Sequence, residues 1–183
     1  LTFQERASII DPNSLRFKSN FAIALLKAGR YRRGFEAYEY RWHAETLEQP
    51  SIRTLLPVPS FDLPLWAPGN AGASHILLWG EQGLGDEIWA LGCLKLLAGR
   101  PERFAIETDP RLVPLAQKAF PHMDFLARDA SKAFDCGKYD AQLPLLSLPH
   151  CLGRPDKPVE PGWARPGNAS DVRQWRTFVP NTP

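Results

Sequence analysis

Two short amphipathic stretches lie near the start of the chain. Apolar residues recur at helical spacing over residues 15 to 28, the dipeptide Gly29-Arg30 interrupts the pattern, and a second periodic stretch follows. This order predicts two helices joined by a tight turn. Helices with apolar residues on more than one face are typical of a repeat that stacks on its neighbours. The apolar positions are Leu15, Phe21, Ala22, Leu25 and Leu26, then Tyr31, Phe35, Tyr38 and Trp42.

The residues before this hairpin also have a helical pattern. Leu1 to Ile10 read as the middle and end of a helix, and the chain does not begin with Met. We therefore predict that residues 1 to 13 close a preceding repeat and that the natural N-terminus lies upstream. The alternative is that residues 1 to 46 form an isolated two-helix cap on the following domain.

A boundary rich in proline and glycine follows the hairpin. Such a composition prevents regular structure, so residues 47 to 73 are predicted to be a linker. Trp66 within it is expected to anchor the linker on the next domain. The residues that mark the boundary are Pro50, Pro57, Pro59, Pro64, Pro68, Gly69 and Gly72.

Strand and helix patterns alternate in the next part of the chain. The run His75–Trp79 is continuously apolar, as in strands that are buried on both faces of a parallel sheet. The alternation predicts an α/β fold, with a Rossmann-like parallel sheet over residues 74 to 160 and helices on both faces. Residues 161 to 183 are predicted to be a tail with one short helix. The elements predicted after the first strand are a helix that includes Ile88, Leu91, Leu94, Leu96 and Leu97, strand Phe104–Thr108, helix Asp109–Phe120, strand Met123–Ala127 and a strand around Tyr139–Pro144.

Composition excludes several classes of partner. The 22 Lys and Arg residues against 20 Asp and Glu residues leave a formal charge of +2, so no overall field favours nucleic acid or an anionic membrane. The odd number of cysteines, without metal-ligand spacing, favours reduced thiols in a cytosol, with neither disulfide nor zinc. No apolar run reaches the roughly 18 residues expected of a membrane span.

The turn after the first predicted strand carries the most specific chemistry. Gly80, Gly83 and Gly85 allow a sharp turn and bring backbone N–H groups close to a ligand at the start of a helix. Their G-x-x-G-x-G spacing is neither the dinucleotide pattern nor a P-loop, because Asp86 stands where the P-loop has Lys. A carboxylate would repel a phosphate there, so we predict that the loop presents Asp86 to a ligand. The alternative is that Asp86 is an ordinary N-cap.

The hairpin resembles a tetratricopeptide repeat. The resemblance departs from the family pattern at Lys18, where that pattern favours Trp, and at Thr46, where a closing Pro is expected. It implies that the hairpin ends an array of repeats and that a protein partner could bind there. The residues that carry it are Phe21, Ala22 and Leu25, followed by Gly34 and Tyr38.

The glycine loop in its context resembles a second family. Trp79–Ile88, preceded by Pro64–Trp66 and the hairpin, resembles bacterial tetratricopeptide proteins fused to glycosyltransferase-like domains. Their catalytic region is similar to the heptosyltransferases of glycosyltransferase family 9. Weaker, pattern-level likeness extends through Tyr139-Asp140 and Leu146–Pro149 to Asp171–Arg176, which resembles the short helix leading into a second lobe.

This resemblance implies the acceptor-side lobe of an inverting, two-lobed (GT-B) glycosyltransferase. Asp86 matches the family's general base, and Glu81 is a second candidate. The acceptor would be a sugar, a lipid-linked molecule or a protein, and a nucleotide-sugar donor would bind the second lobe; neither a cofactor nor a divalent metal is implied. The residues expected to bind substrate are Gly80, Gln82, Gly83, Leu84 and Gly85.

Too few residues follow the fourth predicted strand to form the second lobe, so we expect the chain alone to be inactive. Two other functions remain open. The chain could be a tetratricopeptide interaction scaffold with a degenerate α/β docking domain. A nucleotide-binding or dinucleotide-binding domain is disfavoured by the spacing of the glycines.

Overall fold

The structure is a computed structural model that describes residues 6, 11, 14–42, 62–70, 72–129 and 135–153. It opens with a helical hairpin. Helices α1 (Leu15–Lys27) and α2 (Tyr31–Tyr38) are followed by a 3-10 turn, Glu39–Trp42. Ser14 caps α1 by accepting a hydrogen bond from the Phe17 N–H. The predicted pair of helices is confirmed.

The turn and the packing of the hairpin each depend on a glycine. Gly29 has a φ of 73°, the left-handed conformation that commonly ends a helix. Gly34 faces α1 so closely that a Cβ there would lie 2.7 Å from Leu26 Cδ2. The two helices therefore approach more closely than a larger residue at position 34 would permit.

The second part of the chain is an α/β unit built on a parallel sheet. The strand order within the described residues is β3-β2-β1-β4, and each neighbouring pair is parallel. The predicted fold class is confirmed. The elements are β1 (His75–Trp79), α3 (Leu84–Gly92) continued by a 3-10 turn (Cys93–Leu97), β2 (Arg103–Thr108), α4 (Val113–Ala119), β3 (Asp124–Ala127), a 3-10 turn (Cys136–Lys138), β4 (Ala141–Pro144), a 3-10 turn (Leu145–Ser147) and α5 (Leu148–Cys151).

Strand register assembles the core on one face of the sheet. Ile76 is aligned with Phe104 and Ala141, and the next residue on the same face, Leu78, is aligned with Ile106 and Leu143. Leu77, on the opposite face, is also fully buried. β1 is therefore buried on both faces, as its apolar run predicts. The helical residues that join this core include Ala90, Leu91, Leu94, Leu97 and Ala116.

The hairpin contacts the carboxyl edge of the sheet through aromatic pairs. Phe35 of α2 stacks on Trp89 of α3, with ring centroids 5.5 Å apart. Trp42 meets Trp79, the last residue of β1, edge to face at the same distance. Pairs of this kind add to the stabilisation from buried area. The hairpin is thus packed on the α/β unit at the edge where ligands of such sheets bind.

Part of the predicted linker, residues 62 to 70, is held firmly against the sheet. Trp66 is 2% exposed, and its ring meets Phe104 edge to face at 5.4 Å. Leu65 forms a single parallel bridge with Gln142 of β4, and the Trp66 N–H donates to the Gln142 carbonyl. The prediction of Trp66 as an anchor is confirmed, and the segment also pairs with β4.

Two predicted element starts differ from the structure by two residues or more. Helix α4 begins at Val113 instead of Asp109, because the Asp109 carboxylate accepts from the Arg111 N–H in a local turn just before the helix. Strand β4 begins at Ala141 instead of Tyr139, because Tyr139 is hydrogen-bonded within the preceding 3-10 turn.

The predicted helix end over residues 1 to 13 and the short helix within 161 to 183 lie outside the described residues. All three cysteines are described, and each is a free thiol. None of the helices in the described ranges combines the length and the apolar character needed to cross a membrane.

Candidate active site

The glycine loop lies where the strand order changes direction. From β1 the chain continues to β2 on one side, whereas β4 lies on the other side of β1. Open parallel sheets bind their ligands in the crevice at such a switch point, outside the carboxyl ends of the strands. The glycine loop consists of residues 80–83, which connect β1 to α3, and residues 84–86, which form the first turn of α3. The 3-10 turn Leu145–Ser147 follows β4 and contacts α3. Together the loop and this turn flank the switch point.

The backbone of the loop is set by local hydrogen bonds. Gln82 has a φ of 67°, a left-handed conformation that is uncommon for a residue with a side chain. Gly83 is the N-cap of α3, and its N–H donates to Asp86 Oδ2 at 3.2 Å. The Gly83 carbonyl in turn accepts from the N–H groups of Asp86 and Glu87. The loop therefore enters α3 in a fixed geometry.

Asp86 is exposed at the third position of α3, so the alternative that it is the N-cap residue is wrong in position. Gly83 is the N-cap, and Asp86 reaches back to it as the N3 residue of a capping box does. A carboxylate in the first helical turn is also favoured by the helix dipole. A helix-stabilising role and a chemical role are both compatible with this exposed position.

The three loop glycines have different surroundings. A Cβ on Gly80 would overlap the Arg128 guanidinium and the Glu87 carboxylate. A Cβ on Gly85 would meet nothing within 4 Å. Gly80 is therefore required by protein packing, whereas the space beside Gly85 is open to a ligand.

Glu81 is buried and paired, in contrast to Asp86. Its side chain is 1% exposed, and its two oxygens accept from Arg41 Nη2 at 2.8 Å and Arg41 Nε at 2.9 Å. Oε1 also accepts from the Leu146 N–H. Burial raises the pKa of the Glu81 carboxyl, and Arg41 opposes that rise. Such a carboxylate is committed to the interior, and this geometry does not present it to a substrate.

Further contacts extend this ion pair into a network. Arg41 Nη1 donates to Glu39 and to the Tyr38 carbonyl. Ser147 accepts from Arg41 Nη2 at 2.7 Å and from Trp42 Nε1 at 3.3 Å, and its hydroxyl donates to Glu39. Burial alone would lower the pKa of Arg41, but the carboxylates outweigh it and raise that pKa. Arg41 is therefore a buried, permanent cation.

A second buried charge cluster lies on the other side of the loop. Arg128, just after β3, bridges Glu87 at 2.7 Å and Glu107 at 2.8 Å. Glu87 also accepts from the Thr108 hydroxyl and the Asp109 N–H. Burial raises the pKa of Glu107, and Arg128 opposes that rise. The cluster ties the start of α3 to the ends of β2 and β3.

Tyr38 of the hairpin is within electrostatic reach of the candidate base. Burial raises the pKa of Tyr38 to about 12, Arg41 lowers it in part, and Glu81 and Asp86 raise it further. The phenol therefore stays protonated at neutral pH. The hairpin thus contributes a side chain to the surroundings of Asp86.

The structure brings the predicted site residues 80–86 together in one loop and adds partners that the sequence did not reveal. Arg41 was not predicted, because it is 40 residues away from Glu81 and sits within an ordinary amphipathic pattern. Glu87 had no predicted role, since nothing in the local sequence points to Arg128. The sequence offers one signal for such a role: the charged residue Glu87 directly follows Asp86 at the start of an otherwise apolar helix.

Comparison with known proteins gives one curated relative. The chain is 31% identical over 111 residues to protein FlbA of Caulobacter vibrioides. The match covers 58% of this chain and 17% of the length of FlbA. No protein family model matches the chain. No solved structure matches it.

Proposed function

We propose that the chain supplies the acceptor-side lobe of an inverting, nucleotide-sugar-dependent glycosyltransferase, with Asp86 as the general base. The observation that carries the proposal is the position of Asp86. It is an exposed carboxylate at the start of the first helix of a parallel sheet, at the switch-point crevice. The resemblance of the surrounding loop to the heptosyltransferases supports the same role.

The proposed reaction is a single displacement. The oxygen of an acceptor hydroxyl attacks the anomeric carbon of the nucleotide sugar and forms the new glycosidic bond. The bond from that carbon to the diphosphate oxygen breaks, and the nucleoside diphosphate departs with the electron pair. Asp86 accepts the hydroxyl proton as the bond forms. Donor binding and the stabilisation of the diphosphate are assigned to a second lobe.

The contrast between two carboxylates supports Asp86 over Glu81 as the base. A general base must come within hydrogen-bond reach of the proton that it removes. Glu81 is buried and already accepts from Arg41 and Leu146. We therefore assign Glu81 a structural role and leave the open side of the loop, at Gly85, to the acceptor.

Replacing Asp86 by Asn tests the proposal, because the two possible roles of the carboxylate separate in this variant. The Asn side-chain oxygen can still accept from the Gly83 N–H, so the helix start is preserved, but it cannot take a proton. In a full-length protein that carries both lobes, we expect turnover to fall by roughly 10² to 10⁴, with at most a small decrease in the thermal midpoint from the lost interaction with the helix dipole. Sugar transfer is measured with radiolabelled nucleotide sugar.

The control is Asp124→Asn, which removes an exposed carboxylate at the start of β3. It should leave turnover unchanged. Turnover that is also unchanged in Asp86→Asn would return Asp86 to a purely helix-stabilising role.

An interaction scaffold is the second candidate, because the hairpin carries a groove. The groove, of about 430 Å³, is lined by residues of α1, α2 and the 3-10 turn that follows them. The scaffold function is favoured under two conditions. The full-length protein transfers no sugar, and Arg33→Glu, in the groove, abolishes its cellular role whereas Arg32→Glu, at an exposed position, does not. The groove is lined by Phe21, Leu25, Arg33, Glu36, Ala37, Glu39 and Tyr40.

A further inference from the structure

The side chain of Arg41 is fully committed to partners in three separate segments. It is 3% exposed, and its five N–H groups have five acceptors. Two of the five contacts go to Glu81 in the glycine loop, two to the hairpin itself at Tyr38 and Glu39, and one to Ser147 after β4. One hairpin residue therefore joins both sides of the switch-point crevice.

The bidentate contact between Arg41 and Glu81 fixes the Glu81 carboxylate in orientation as well as in position. A planar guanidinium matches a carboxylate through two parallel hydrogen bonds, which a Lys ammonium cannot reproduce. Glu81 also accepts from the Leu146 N–H, so the carboxylate is held on both sides. The start of the loop is thereby attached to the hairpin and to the exit of β4.

The loop between Glu81 and Asp86 is held at its helix end by the capping hydrogen bonds of Gly83. Gln82 is in the left-handed region, and Gly83 has an extended backbone with φ −96° and ψ 170°. The left-handed conformation of Gln82 is uncommon for a residue with a side chain, so the surrounding contacts must select it, whereas the extended conformation of Gly83 is ordinary for an N-cap residue. The N-terminus of α3 fixes one end of the loop and Arg41 fixes the other.

We propose that Arg41 is a positioning residue, which holds the glycine loop in the conformation that presents Asp86. The inference rests on the proposed function for its chemical consequence. Buried ion pairs contribute little net stability compared with apolar replacements of similar volume, so selection of one conformation is the effect that this pair supplies. The helical hairpin is accordingly a structural part of the site and not a detachable module.

Amide hydrogen exchange on the full chain tests the geometric part. Arg41→Lys keeps a positive charge near Glu81 but loses the bidentate hydrogen bonding to its carboxylate. We expect the amides of residues 80–88 to exchange roughly 10-fold faster or more, while those of β2 keep their protection. The matched control is Arg111→Lys, since Arg111 makes a similar bidentate contact with Asp109 at the surface. Unchanged exchange in residues 80–88 overturns the proposal.

A double variant separates positioning from stability. Arg41→Met combined with Glu81→Met removes both buried charges and keeps apolar volume, so the chain should fold. We expect the loop to exchange rapidly even in this folded chain. The proposal is also overturned if the double variant folds and its loop amides are as protected as those of the unsubstituted chain. Burial alone would then suffice to hold the loop.

Steady-state kinetics on the full-length protein with both lobes distinguish this inference from the proposed function. Arg41→Lys should lower kcat roughly 10- to 10²-fold and leave the donor KM unchanged, as expected for a misplaced base. If Asp86→Asn abolishes turnover and Arg41→Lys does not alter kcat, the positioning role alone is wrong. If Asp86→Asn has no effect, the proposed chemistry is wrong, and the exchange experiment still decides whether Arg41 holds the loop.

Discussion

At the residue scale, Glu81 and Asp86 show how surroundings give one functional group two different uses. Both are carboxylates in a single loop, yet one is buried against Arg41 and the other is exposed at a helix start. Local sequence places both in the loop, but it does not distinguish them. The distinction depends on Arg41, whose contact spans 40 residues of chain.

Asp140 is a residue whose ionisation should affect stability. Its Oδ2 accepts from the Ser74 N–H, the Ser74 hydroxyl and the His75 N–H, which joins the start of β1 to the start of β4. The hydrogen bonds from Ser74 and then His75 lower the pKa of Asp140 below its usual value. The stabilisation is therefore complete above the unfolded pKa of about 3.9 and is lost as the pH falls through the lower folded pKa.

We predict that Asp140→Asn removes this part of the acid dependence of the free energy of unfolding. Urea denaturation between about pH 2 and pH 7 measures it. The slope contributed by Asp140 should be absent in the variant and retained in an Asp124→Asn control. If the free energy of unfolding of Asp140→Asn falls with decreasing pH just as it does in the unsubstituted chain, the hydrogen bonds of Asp140 do not stabilise the fold.

At the scale of elements, the hairpin depends on the contact between α1 and α2 at Gly34. We predict that Gly34→Ala lowers the free energy of unfolding by about 1–3 kcal/mol, because the new methyl group would overlap Leu26. Gly85→Ala is the matched control, since it is also a helical glycine but has open space around its Cα. It should be neutral or stabilising by up to about 1 kcal/mol. Equal effects in chemical denaturation would contradict the close contact.

The types of the elements were predictable from the sequence, and their ends only in part. β1 matches the prediction because a continuous apolar run must be buried on both faces, whatever its partners are. The start of α4 was missed because the Asp109 side chain competes for the backbone just before the helix. The parallel bridge of Leu65 to β4 was missed because it depends on a strand about 77 residues further along the chain.

At the scale of the whole molecule, the interior of the α/β unit can be monitored through Cys93. This thiol is fully buried, and burial raises its pKa to about 12. Burial keeps the reagent away from the thiol and also lowers its thiolate fraction, so the native protein should resist alkylation at about pH 8.

We predict that a variant with Cys136→Ser and Cys151→Ser, which leaves Cys93 as its one thiol, reacts with iodoacetamide only when the α/β unit opens. Mass spectrometry gives the labelling rate, and denaturant should raise that rate in parallel with unfolding. Rapid labelling in the absence of denaturant would show that the core around Cys93 is open in the native state.

The hairpin and the sheet are predicted as separate domains, at residues 1 to 46 and 74 to 160. Within the described residues the two are in contact through the aromatic pairs of Phe35 with Trp89 and Trp42 with Trp79. Local periodicity cannot reveal such contacts, because each aromatic residue is equally consistent with packing inside its own unit.

The pairing of Arg41 with Glu81 has a consequence for how related sequences can diverge. Loss of Arg41 would leave the Glu81 carboxylate uncompensated in the interior, and loss of Glu81 would leave Arg41 with Glu39 as its remaining carboxylate, whereas the exchange of both for apolar residues is less costly. Positions 41 and 81 should therefore vary together in descent, passing jointly from the charged pair to an apolar pair. The hairpin and the glycine loop would then be inherited as one unit, and recombination that joined a foreign hairpin to this sheet would succeed only where the incoming chain carried an arginine at the matching position.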